Sequence, residues 1–281
     1  MSTEQPIENV DSGDQPAVSP SPPAETPRPA RVPGLASGPF TGAAFAVVGS
    51  LFAWALIELF HPVFKVPSEL MVERPSQQQE ALLAAAEFTT GLYNAALALG
   101  VAGAILAGAL AMGEGWARRS WKMAIAGFLG CALAGAFFGG LAGWVGHSVF
   151  QFAKLPGALA IDLEGTVVVQ MTMLAVLGAG IGLVLGSLTG EAGGLFTRVL
   201  AGALAGVLAG LVCPFATANL LPAANTENIV PQGKFAALLW LGLTGVLLGL
   251  IIPGMKLRRA ASRSGPSPGP APAKVVATDE L

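Results

Sequence analysis

Few residues of this chain could do chemistry, and most of those stand at the edges of long apolar runs. Glu58 and His61 are three residues apart. On a helix that spacing puts a carboxylate and an imidazole on one face, the arrangement a proton relay needs. Both close an apolar run, so contact with interfacial water explains them more simply. Glu114 and Glu191 occupy two matching dipeptides, Gly113-Glu114 and Gly190-Glu191. An acid at the C-terminal end of a helix opposes the helix dipole and calls for nearby cations. Arg118 and Arg119 are close to the first, and Arg198 is close to the second. A pair of gates or cation sites is the functional reading. Glycine turns stapled by exposed ion pairs is the plainer one, and it is preferred.

His147 ends another apolar run, and His61 is the only other histidine. The two stand on separate segments and make a poor metal site, so no metal and no cofactor is expected. Cys131 and Cys213 fall inside apolar runs and read as small packing residues. Gln170, Thr172, Ser187 and Thr244 are polar at membrane depth, where such side chains bond across helices or back to their own carbonyls. Ser187 follows a glycine, but the chain keeps it at the opposite membrane face from both histidines, so no serine–base pair forms. No Gly-rich loop ends in Lys-Ser or Lys-Thr, and no paired-carboxylate catalytic motif appears. No catalytic constellation results.

The elements that must position these residues follow from composition. Hydrophobic residues are 53% of the 281, charged residues only 11%, and 37 are glycine. A soluble domain of this size carries far more surface charge. The net charge of −2 leaves no basic footprint for nucleic acid. The pattern predicts an all-α membrane protein with a six-helix transmembrane domain over 40–259. Pro-rich tails over 1–39 and 260–281 lack the apolar residues to fold and read as disordered. Six stretches approach the roughly 20 residues that cross a bilayer. They lie near 40–60, 91–112, 123–146, 168–188, 197–215 and 235–253. Pro214 should kink or end the fifth. Ser76 through Gln79 reads as a capping box opening a helix that runs on into the second span.

Ten lysines and arginines near the span ends fall on one side of a six-span topology, from Arg28 and Arg31 through Arg118, Arg119, Lys122 and Arg198 to the group ending at Arg263. Lys65, Arg74, Lys154 and Lys234 fall on the other. The basic side belongs in the cytoplasm, which puts both termini there and suits a plasma membrane of the bacterial inner-membrane kind.

Small residues recur at steps of four. Span three has Gly127, Cys131, Gly135 and Gly139; span four has Gly178, Gly182 and Gly186; span five has Gly202, Gly206 and Gly210. Such rows form shallow grooves for close helix packing. The hairpin of spans two and three also matches that of four and five at offsets of 75 and 78, which suggests a parallel repeat. The expected function is non-catalytic, an assembly or accessory role in the bilayer, with a second copy or another membrane protein as partner. A passive channel or small-solute transporter built from the two hairpins is the alternative.

Overall fold

The computed structural model describes residues 39–72, 76–153, 163–188, 192–221, 229–231 and 233–263. The expected tails and Glu191 lie outside them, save for Pro39 and the stretch to Arg263. The described residues form six α-helices and no strand: α1 Pro39–Phe60, α2 Gln77–Ala117, α3 Trp121–Ala153, α4 Leu163–Ser187, α5 Ala192–Leu220 and α6 Lys234–Arg263. Each is long and apolar enough to cross a membrane, and the chain is a multi-pass membrane protein. Lipid offers the backbone no hydrogen-bond partner, so a chain this apolar satisfies its amides within helices.

Helix ends follow local chemistry. Ser76 caps α2, its hydroxyl accepting from Gln79 N–H at 3.4 Å while the Gln79 side chain accepts from Ser76 N–H at 2.8 Å. Arg119 turns the chain out of α2 with a left-handed φ of 54°, and the Ser120 hydroxyl accepts from Met123 N–H at 3.4 Å to open α3. Pro214 does not end α5, which continues to Leu220. A proline removes one internal hydrogen bond, and the neighbouring turns still hold theirs in surroundings that offer no other partner. Pro253 is accommodated inside α6 in the same way.

The helices close a ring in chain order. Each packs on the next, α6 returns to α1, and α2 meets α4 across the middle. Leu99, Leu106, Leu177, Ile181, Trp240 and Leu248 fill the interior. Small residues form the tightest seams. A Cβ on Gly135 would overlap the Gly103 carbonyl, and one on Gly139 would overlap that of Leu99. In the second hairpin Gly178 and Gly202 stand against each other's carbonyls, and Gly206 stands against that of Leu174. Gly127 has room, since a Cβ there would lie 3.7 Å from that of Ala111.

Two residues away from the α3 and α5 rows, on the opposite face, large side chains point outward. Leu129, Leu133, Phe137 and Leu141 are exposed on α3, and Leu200, Leu204 and Leu208 on α5. Bulk faces outward because the hydrocarbon solvates it as well as a core would, while small residues let backbones touch.

The two hairpins pack in different registers. The offsets of 78 and 75 carry Gly103 to Ile181 and Gly135 to Gly210. Gly210 instead lies against Gln170 and Met171, about three helical turns from Ile181. Equivalence by those offsets is therefore not equivalence of contact.

Candidate functional site

The most concentrated polar site lies where α2 and α4 end. Arg198 is in the second turn of α5, four residues before Gly202 and so on the same row as Gly202, Gly206 and Gly210. That row faces α4 at close range, and a Cβ on Gly182 would overlap the Arg198 carbonyl. The guanidinium is thereby carried into the bundle, with its side chain only 6% exposed. Nη1 donates to the Leu185 carbonyl at 2.6 Å. Leu185 is in the last turn of α4, where carbonyls lack partners within the helix and the dipole is negative. Arg198 answers both needs.

The same guanidinium forks onto Glu114, with Nη1 to Oε2 at 3.1 Å and Nη2 to Oε1 at 3.0 Å. Glu114 continues the buried row of Leu106 and Leu110 on α2, and its side chain is 23% exposed. Arg118 adds an i,i+4 pair at 3.1 Å from the surface. The ion pair therefore joins the two hairpins. The exposed staple expected between Glu114 and Arg118 forms within its own turn; the expectation is corrected for Arg198, which crosses to Glu114 because the glycine row aims it there. Two-point, charge-assisted bonding between groups largely withdrawn from water is the strong form of this contact. Removing one partner of such a pair costs about 3–5 kcal/mol. Extending the row of Gly202, Gly206 and Gly210 back by four residues would have found Arg198 in the sequence.

At the other end the candidate residues do not converge. Glu58 is paired with Lys234 at 3.7 Å, and both side chains face the surroundings. No hydrogen bond joins Glu58 to His61. His61 is exposed; partial desolvation lowers its imidazole pKa, and the Glu58 carboxylate opposes that by raising it. His147 does not end its helix at a surface. It is buried, because α3 runs on to Ala153 and α2 extends back to Gln77 beside it. The imidazole meets the Phe88 ring edge-on at 5.0 Å and approaches Gln151 Nε2 at 3.5 Å. Gly91 makes room for it, as a Cβ there would lie 2.7 Å from His147 Cε1. Among the described residues no three His, Cys, Asp or Glu gather as metal ligands.

Most buried polar groups are bonded by the chain itself. Ser50 donates toward the Ala46 and Leu241 carbonyls at 2.8 and 2.9 Å, which ties α1 to α6. The Asn94 amide brackets Phe64, accepting from its N–H at 3.0 Å and donating to its carbonyl at 2.8 Å. Thr172, Ser187 and Thr244 donate to carbonyls within their own helices. Cys131 is buried in the α3 row, and the Cys213 thiol points at the Trp240 carbonyl at 3.6 Å. Gln170 Oε1 and Trp240 Nε1 are buried without a hydrogen-bond partner. Comparison with protein-family models, with curated proteins and with solved structures finds no match to this chain.

Proposed function

We propose that this multi-pass protein is non-catalytic and serves an assembly or accessory role, with a second copy or another membrane protein seated on its outward leucine rows. It resides in a plasma membrane of the bacterial inner-membrane kind, with both termini in the cytoplasm, by the lysine and arginine bias. The observation that carries the reading is the joining of the hairpins. Their seams stand at backbone contact, and a largely buried ion pair holds α2 to α5. A rigid scaffold is what such closure produces. Photo-crosslinkers at Leu133 on α3 and Leu204 on α5, both exposed, are expected to give one discrete protein adduct in native membranes. Adducts to lipid alone would overturn the reading.

The second reading, a passive small-solute path, is favoured by Gln170 Oε1 and Trp240 Nε1. An acceptor and a donor without partners inside an apolar bundle are what a polar solute or water would use. Vesicle swelling with glycerol or urea separates the two. The scaffold predicts rates equal to protein-free vesicles; faster swelling that Gln170→Leu abolishes would favour the path.

A further inference from the structure

The turn between α2 and α3 carries side chains that neither the ion cluster nor the seams use. Trp116 and Trp121 are 58% and 62% exposed, and Arg118, Arg119 and Lys122 are exposed around them. Among the described residues the one carboxylate at this end is Glu114, and it is taken by Arg198 and Arg118. No described acid pairs with Arg119 or Lys122. Tryptophan favours the level where acyl chains meet head groups. Two of them flanking the turn hold it at that level, and the cations are then placed among the phosphates. The exposed surface continues one turn along α3 to Ile125, so an acyl chain can lie beside the turn that holds its head group.

We infer that this turn binds anionic phospholipid, with Arg119 and Lys122 on the phosphate-bearing head group and Trp116 and Trp121 at the acyl boundary. The inference needs only the membrane-spanning fold, and it stands whether or not the assembly role does. Phosphate charge matches exposed guanidinium and ammonium groups, whereas a zwitterionic head group brings its own compensating cation.

The test uses the full chain in neutral detergent with equimolar phosphatidylglycerol and phosphatidylcholine, and native mass spectrometry counts the lipids retained. Phosphatidylglycerol is expected to predominate. Arg119→Gln and Lys122→Gln should each lower that preference roughly fivefold, and the pair of changes should lower it further. Lys234→Met, at the far end, should leave it unchanged. Both positions are exposed, so melting in detergent should match the native chain and certify the fold. Equal retention of the two lipids, or a preference that survives both substitutions, overturns the inference. Inorganic phosphate at millimolar concentration is expected not to displace the lipid; displacement would assign the cations to a soluble anion and overturn it equally.

Discussion

The two ends of the bundle each hold an acid–base pair, and the pairs differ in almost everything but charge. Glu114 and Arg198 meet at 3.0 Å, and the guanidinium is nearly sealed from its surroundings. Glu58 and Lys234 meet at 3.7 Å with side chains 36% and 72% exposed. The first is bidentate and shares its cation with the last turn of α4; the second is a single contact on a flexible lysine stem. Burial raises both the strength of a paired charge and the penalty for an unpaired one. Only the pair at the α2–α4 end should therefore bear on stability. Backbone proximity makes the difference, because glycine at 182 and along the α5 row lets the Arg198 backbone approach α4.

The largest expected effect tests that contrast directly. Arg198→Met leaves Glu114 without its main partner and the Leu185 carbonyl open. It should lower stability by about 3–5 kcal/mol in a mixed-micelle unfolding titration. Combining it with Glu114→Gln should recover part of the loss, since no buried charge then lacks a partner. A double variant as damaged as the sum of its singles would break the claim that the two groups act together.

Next comes Gly182→Ala, which touches no charge. Its methyl group would overlap the Arg198 carbonyl and lie 3.1 Å from Val199 Cα. Overpacking of this kind costs about 1–3 kcal/mol. In the Glu114→Gln background it should cost less if the glycine acts partly by seating the ion pair. Equal cost in both backgrounds would separate the seam from the pair.

Lys234→Met removes the exposed pair and should change stability by less than about 0.5 kcal/mol, with any effect screened by salt. A loss comparable to that of Arg198→Met would dissolve the contrast between the ends. The smallest effect belongs to His61. Its folded pKa is lowered, first by desolvation and against the pull of Glu58. The unfolded chain therefore binds the proton more readily, and stability falls as pH drops through the ordinary histidine range near 6.5 toward the lower folded value. Melting at pH 7 and pH 5 should show a slight acid loss that His61→Asn removes. A gain on acidification would mean that Glu58 dominates after all.

Much of the architecture was legible because membrane helices announce themselves by length and apolarity. Each of the six spans falls on one of the six helices, the fourth overrunning its helix by one residue, and the Ser76 capping box opens α2 where its residues indicate. The candidate site was less legible. Glu114 was recognisable as an acid at a helix end needing cations, but sequence nearness suggested Arg118 and Arg119 for it. Arg198 reaches it across 84 positions. His147 read as a residue at a helix end, because the apolar run stops there. It is buried because α2 and α3 continue side by side beyond the run, which neighbouring packing decides and local hydropathy does not.

Composition and spacing by themselves determined that the chain crosses a membrane six times as helices and which helix faces carry small residues. Those properties depend on local hydrogen bonding and transfer from water, which each segment settles alone. Only the tertiary structure decided the ring order, the register of each seam and the partner of Arg198. In hydrocarbon an outward leucine and an inward one differ little in solvation. The choice among registers therefore falls to close contact between particular backbones, and to a buried cation, Arg198, that must find its acid.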